Sequence, residues 1–316
     1  MLYNSLIIYK TNIKKKKIII CNFIAIKKKF FFLKIKKKLF KKMLNIKQII
    51  YLMFIFNFWK KINFKNVILI TTIFINNIIS NIDGLFKLYL ISIGILLCNF
   101  INLNNIFEKL INLIWTNIGC YYIEDFTKIN INKINLIIES IDKIPYLTKF
   151  YLPSNIRLSN TNRVRLGAFL SKGTTIMSEG YVNFNTFIGN NCMIEGRISS
   201  GVYISNNTDI GGSASIMGTL SGGGKNIISL GNNCLLGANS GIGFSLGNNC
   251  IIEAGLYITA GTKIFLFLNN NFIIIKAKKL SFINNLIFYR NSLNGKIECC
   301  KNFTKTININ KILHNN

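Results

Sequence analysis

At 316 residues the chain is long enough to bury a sizeable core and to hold two or three domains. Its formal net charge of +28 would ordinarily point to nucleic acid or an anionic membrane, yet Lys, Ile, Asn and Phe are inflated together and no acidic residue precedes Asp83. That is a coding bias spread along the chain, not a basic face of Arg and interleaved aromatics, and it argues against a nucleic-acid partner.

From Met1 to Lys61, Lys clusters alternate with Ile/Phe clusters, a pattern that imitates a transit peptide or a membrane-surface helix. The clusters at 14–17, 27–29 and 36–38 recur too far inside for a signal peptide, and no small-residue cleavage site follows. Leu88–Phe107 carries no formal charge and is long enough to span a bilayer. Its Asn99, Asn102, Asn104 and Asn105 amides would be costly in hydrocarbon, so a buried helix is expected there and no membrane span. Apolar spacing predicts a helix over Asn105–Ile114 and a strand over Ile134–Ile138, hence a mixed α/β domain over residues 1–150 whose first 60–80 residues are hard to read. Pro145 and Pro153 close it, as proline ends regular elements.

Beyond them the composition changes. Nineteen of the 23 glycines fall between Gly167 and Gly261, while Lys is absent from Gly173 to Gly224. Within this region aliphatic residues recur every sixth position, as Leu230, Leu236, Ile242 and again as Leu246, Ile252, Ile258, Ile264. Earlier turns keep the pattern at Ile188, Ile194, Ile210 and Ile216. Three six-residue sides make one triangular coil, so each aliphatic stacks on its equivalents above and below. Glycines are expected to supply positive-φ or close-approach positions at the corners, and the cysteines at the small position, Cys192, Cys234 and Cys250, to fill core. The repeat resembles the hexapeptide-repeat family, which implies a left-handed parallel β-helix, an exception to the right-handed crossover, over residues 151–266. The period is lost after Ile264. Leu286–Leu293 and Lys296–Phe303 flank Asn294-Gly295, a hairpin signal, so a short C-terminal β-hairpin cap is expected over 267–316.

The eight cysteines show no C-x-x-C pair, which favours a reduced cytoplasmic compartment over a disulfide framework. The single histidine, His314, has only Asn315 and Asn316 after it, where a solvated role is the ordinary one. Without a histidine in the coils a general base has to be a carboxylate, or there is no base, and the coils hold only Glu179, Glu195, Asp209 and Glu253. Glu195 and Glu253 both occupy the slot after the stacked aliphatic, elsewhere given to Gly, where a carboxyl would be partly desolvated; facing water at a corner is the plainer alternative.

The runs RVRLGAFLSKGTTIMSEGYVNFN (163–185), IEGRISSG (194–201), DIGGSASIMGTLSGGGK (209–225), LLGANSGIGFSLG (235–247) and EAGLYITAGTK (253–263) resemble the longer-chain branch of the tetrahydrodipicolinate N-succinyltransferases. Weaker likeness reaches IWTNIG (114–119), DKIP (142–145), KAKKLS (276–281) and YRNSLNG (289–295). The resemblance implies a homotrimer with active sites between neighbouring helices, a small-molecule substrate, and succinyl-CoA as co-substrate. It implies that Glu195 is the catalytic carboxylate, as general base or as the nucleophile of an acyl anhydride. It also implies that Arg197, Gly212, Ser215, Ala238, Glu253, Ala254, Gly261, Lys276, Tyr289, Arg290, Asn291 and Ser292 line the succinyl-CoA site. Arg197 suits a carboxylate held bidentately, and Lys276 and Arg290 suit phosphate. Backbone amides of Gly211–Ser215 or Ser221–Gly224 are candidates for stabilising an oxyanion. The family can hold a divalent metal such as Mg2+ through an acid matching Glu179 and a second acid, but Asn162 stands in the second place. A different acyl-CoA transferase on the same coil, or a structural trimer without activity, are the alternatives.

Overall fold

A computed structural model describes residues 2–11, 18–26, 67–73, 77–78, 80–117, 119–126, 136–218, 227–268 and 271–303, the strands before residue 74 by their backbone alone. His314, the glycine-rich stretch Ser221–Gly224 and the lysine clusters of the first 61 residues lie outside them. Two compact units emerge, Met1–Lys87 with Asn102–Lys143, and Leu88–Ile101 with Ile144–Asn316.

In the first unit the described residues form two antiparallel sheets of three strands. One pairs Leu2–Thr11 with Ile18–Ile26 and Val67–Ile73; the other pairs Leu113–Thr116 with Gly119–Tyr121 and Ile138–Asp142. Trp115 is buried at the centre of the second sheet, where its indole N–H donates to the Asp142 carbonyl at 2.9 Å. Of the strand expected at Ile134–Ile138, residues 134 and 135 lie outside the described residues; among those described, a strand runs over Ile138–Asp142. The helix expected over Asn105–Ile114 is a single turn, Ile106–Lys109, because Leu113–Thr116 is drawn into the sheet.

Nor is the uncharged run Leu88–Phe107 one helix. The helix Asn81–Ser92 ends there, and Gly94, at φ 72, turns the chain so close to Phe169 that a Cβ on Gly94 would stand 2.5 Å from the ring. Among the described residues no helix is long and apolar enough to cross a membrane.

The second unit is a left-handed parallel β-helix with three faces. One face stacks Thr175–Ile176, Met193–Ile194, Asp209–Ile210, Leu235–Leu236 and Ile251–Ile252. The next stacks Tyr181–Val182, Arg197–Ile198, Ser215–Ile216, Gly241–Gly243 and Tyr257–Thr259. The third stacks Ala168–Leu170, Thr186–Ile188, Tyr203–Ile204 and Ser229–Leu230. The six-residue period follows directly: Ile194, Ile210, Leu236 and Ile252 all point inward and are fully buried, as are Ile198, Ile216, Ile242 and Ile258. Each such side chain contributes about 1.5–3 kcal/mol relative to exposure. Outside the third face Phe169, Phe187 and Tyr203 stack, with ring centroids 5.2 and 4.4 Å apart, and Asn99 pins the neighbouring turn through Asn185 and the Gly201 carbonyl.

The corners divide the work between two residue types. Glycine serves close approach: a Cβ on Gly189 would stand 2.6 Å from the Ser205 carbonyl carbon, and one on Gly231 would stand 2.5 Å from that of Gly247. Positive φ falls instead mainly to asparagine, at Asn191, Asn207, Asn233, Asn249 and Asn285, below Gly173 at the first coil. Beside them Asn206, Asn232, Asn248 and Asn284 each accept, at 2.7–3.0 Å, the amide of the equivalent residue one coil earlier. The expected C-terminal hairpin is present, Leu286–Arg290 against Ile297–Lys301, and its first strand continues the coil by pairing with Ile251–Ile252.

Candidate active site

At the corner after the first face, Met177, Glu195, Gly211, Gly237, Glu253 and Tyr289 form one column, because the residues before them pair in register. From Met177 to Glu253 each amide in the column donates one coil onward, the Glu195 N–H to the Ile210 carbonyl at 2.9 Å and the Glu253 N–H to that of Phe288 at 3.0 Å. Where a four-residue turn is followed by another, the column position cannot carry a side chain: a Cβ on Gly211 would lie 2.7 Å from the Leu236 oxygen, and one on Gly237 would lie 2.4 Å from the Ala254 nitrogen. The two acids stand where that rule is broken. The coil after Glu253 presents there a strand, Leu286–Arg290, that runs straight on, and Glu195 belongs to a turn that is cut short.

Between the strands Met193–Ile194 and Arg197–Ile198 there are only Glu195 and Gly196. The coil before has Met177–Gly180 in that place, and the coils after have Gly211–Ala214 and Gly237–Ser240. Two missing residues leave a notch in the corner, with the half-buried Glu195 carboxyl in it; a Cβ on Gly212 would have Glu195 Oε2, 3.6 Å away, as its one neighbour within 4 Å. The shortened turn also removes an acceptor. In later coils the amide of the left-handed turn residue donates to the coil before, Asn239 N–H to the Gly212 oxygen and Gly255 N–H to the Ala238 oxygen, both at 2.8 Å. Ser213, at φ 58, is the equivalent residue below Glu195, and among the described residues its amide has no such acceptor.

The structure brings most of the expected residues to this corner. Gly212, Ala238 and Ala254 follow the acid column as a strip of small residues, and Tyr289 and Arg290 continue it past Glu253. Glu253 Oε2 accepts the Arg290 amide at 2.7 Å, which ties the last coil to the C-terminal strand. Arg197 and Ser215 are adjacent outward residues on the second face, with Arg197 exposed. Asn291 shapes the turn: its amide donates to Glu298 Oε1 at 2.8 Å and its Oδ1 accepts from the Leu293 N–H, while Ser292 is exposed. Burial, then the Glu298 carboxylate, pushes the Tyr289 phenol up to about 12, so it is a neutral donor at any working pH. Gly261 and Lys276 lie apart from the column, at the end of the second face and in the strand Asn271–Lys276.

Sequence reasoning missed Tyr257. Its ring lies over Gly241, so close that a Cβ there would be 2.1 Å from the ring, and it walls the outward column that runs from Arg197 through Ser215. No spacing in the sequence marks it; only the bare glycine one coil earlier makes room for the ring.

Glu179 does not make a metal centre within one chain. Its carboxylate is 3.5 Å from Arg163 Nη2, which also donates to the Glu179 carbonyl, and Asn162 offers only a neutral amide. Among the described residues no group of three His, Cys, Asp or Glu gathers at all. A hard cation takes an oxygen cage without a competing guanidinium, so within one chain these residues do not fit one, and only three Glu179 copies converging in a trimer would supply the oxygens.

The cysteines behave as core fillers. Cys192, Cys234 and Cys250 stack at one corner with no exposed surface, and burial pushes the Cys192 thiol up to about 12. A thiol held that far above its ordinary value stays protonated at pH 8, and the thiol is not the nucleophile. Alkylation of the native protein, read by peptide mapping, is therefore expected to spare Cys192 until denaturant is added; rapid native labelling would show that the coil opens there.

A family model described as "Hexapeptide repeat of succinyl-transferase" matches residues 227–260. The 2,3,4,5-tetrahydropyridine-2,6-dicarboxylate N-succinyltransferase of Pseudomonas aeruginosa is 44% identical over 241 residues, covering 74% of this chain and 70% of that one. The protein of the same name from Vibrio cholerae is 45% identical over 240 residues, with 74% and 70% covered. Among solved structures, a crystal structure of a putative 2,3,4,5-tetrahydropyridine-2-carboxylate N-succinyltransferase from Campylobacter jejuni is similar with a TM-score of 0.80 and 28% identity, over 95% of this chain and 92% of that one.

Proposed function

The chain belongs to the 2,3,4,5-tetrahydropyridine-2,6-dicarboxylate N-succinyltransferase family, and from that membership we propose a CoA-dependent acyl transfer carried out at the notch around Glu195. The succinyl group of succinyl-CoA passes to the nitrogen of tetrahydrodipicolinate, giving N-succinyl-2-amino-6-oxopimelate and free CoA in diaminopimelate and lysine biosynthesis. The shortened turn carries the reading, since it opens the corner directly beside the Glu195 carboxyl.

Water adds across the ring C=N and opens it to the amine. The nitrogen lone pair then attacks the thioester carbonyl, Glu195 takes the proton the nitrogen sheds, and the C–S bond breaks to release the thiolate. The developing oxyanion needs donors that are not already engaged, and the Ser213 amide below Glu195 meets that condition. Arg197 holds a substrate carboxylate, and the strip Gly212, Ala238, Ala254 leaves room for the pantetheine arm against backbone. The phosphates lie toward Gly261, Lys276 and Arg290. Glu253 and Asn291 contribute by holding the hairpin that presents Tyr289, Arg290 and Ser292.

Three copies packed side by side complete the site, in line with Phe267, Leu268, Phe272, Ile273 and Ile274, large apolar side chains that one chain alone leaves exposed. The described cysteines are free, which suits the reducing cytoplasm. Mg2+ has no part in the proposed chemistry.

Purified protein is expected to release thiol from succinyl-CoA only when tetrahydrodipicolinate is added, with acetyl-CoA a poor donor. Turnover confined to acetyl-CoA would replace this reading with another acyltransferase on the same coil, and no turnover with either would leave a trimer without activity.

A further inference from the structure

Resting on that reading, the register of the hairpin after the last coil extends the coenzyme site. Lys263 opens the strand Lys263–Leu268 and stands directly across from Lys276, which closes Asn271–Lys276. Cross-strand partners project to one side of the sheet with Cβ atoms about 5 Å apart, and like charges in that position repel. Both side chains are exposed, and among the described residues neither forms an ion pair with a carboxylate. Phe265 lies two residues on, on the same side as Lys263, and carries the Lys296 ammonium 4.7 Å from its ring centroid. A further lysine, Lys278, comes from the turn below. The Ala277 N–H donates to the Thr262 carbonyl at 2.8 Å and the Lys278 N–H to that of Ala260 at 3.0 Å, which fastens Lys276 and Lys278 around Gly261. At Gly261 a Cβ would meet nothing within 4 Å, so the turn is open to a ligand.

A repulsive pair of ammonium groups beside an open glycine turn is settled by a doubly charged anion between them. We infer that Lys263 and Lys276 together bind the 3′-phosphate of coenzyme A, so that this hairpin makes the enzyme select the 3′-phosphorylated form of its donor over the dephosphorylated one. Lysine suits the task, being a compact point charge on a flexible stem that reaches a phosphate without a fixed fork geometry.

Calorimetric titration of the full chain with CoA and with 3′-dephospho-CoA tests the assignment. The unaltered protein should bind CoA about tenfold more tightly, the step expected for one charge-assisted contact. Lys263→Ala should bring the two ligands to nearly equal affinity without weakening dephospho-CoA, and Lys263→Arg should restore most of the difference. Circular dichroism of each variant guards against misfolding. Equal losses for both ligands, or no change in Lys263→Ala, overturn the role of Lys263 while leaving succinyl transfer in place. Failure of the unaltered protein to bind either ligand, together with no thiol release from succinyl-CoA, overturns the coenzyme reading itself.

Discussion

Glu195→Gln is expected to lower kcat by about 10^2–10^4-fold, the range that a positioned proton acceptor contributes, while the thermal midpoint and the assembly stay as they were. The amide keeps the volume and most of the hydrogen-bonding reach of the carboxyl but cannot take a proton. Stability should be untouched because Glu195 joins no ion pair among the described residues and its side chain points into the notch, not into the stacked aliphatic core. KM for succinyl-CoA should move little, since the donor is held by residues further along the corner and by the hairpin. Acid-quenched protein taken during turnover is expected to carry no succinyl group on the Glu195 peptide. An adduct there would change the role from base to nucleophile, and a Gln variant with full activity would take Glu195 out of the chemistry altogether.

How much of this was legible beforehand depends on whether a feature is periodic. The inward columns were, because the coil makes burial recur every six residues, and Leu230, Leu236 and Ile242 are buried as their spacing requires. The notch was written in the same code and overlooked: successive inward aliphatics stand six apart at Ile176 and Val182, at Ile210 and Ile216, and at Ile252 and Ile258, but four apart at Ile194 and Ile198. A break in a repeat is information about function, since a coil shortened by two residues must leave a gap. Glycine at the corners was half understood. Close approach does belong to Gly189, Gly231 and Gly247, but asparagine tolerates the left-handed region and adds a carboxamide that bonds to the next coil, so it displaces glycine at Asn191, Asn207, Asn233 and Asn249. Features that depend on partners distant in sequence were out of reach. The apolar run after Leu88 looks helical until Gly94 is seen against Phe169, and the facing of Lys263 and Lys276 exists only once the hairpin register is known.

Two glycines separate what the coil needs from what the site needs. Gly231→Ala is expected to destabilise the protein by about 3 kcal/mol or more, because the added methyl would stand 2.5 Å from the Gly247 carbonyl carbon and 2.6 Å from the Asn248 nitrogen. Those are backbone atoms locked into the next coil through the Gly231 N–H to Leu246 oxygen bond at 3.1 Å and the Asn232 N–H to Asn248 Oδ1 bond at 2.7 Å, so neither coil can give way alone. Gly212→Ala should behave in the opposite way. Its methyl meets only Glu195 Oε2, at an ordinary contact distance of 3.6 Å, and stability should stay within about 0.5 kcal/mol of the unaltered protein. The same methyl fills the notch where the thioester must approach the carboxyl, so kcat/KM should fall although the fold is intact. Thermal melts and initial rates on the two variants decide the matter. Full activity in Gly212→Ala would mean that the substrate does not enter beside Glu195, and an unchanged melting temperature in Gly231→Ala would mean that the coils are not packed at this corner as tightly as their backbone contacts require.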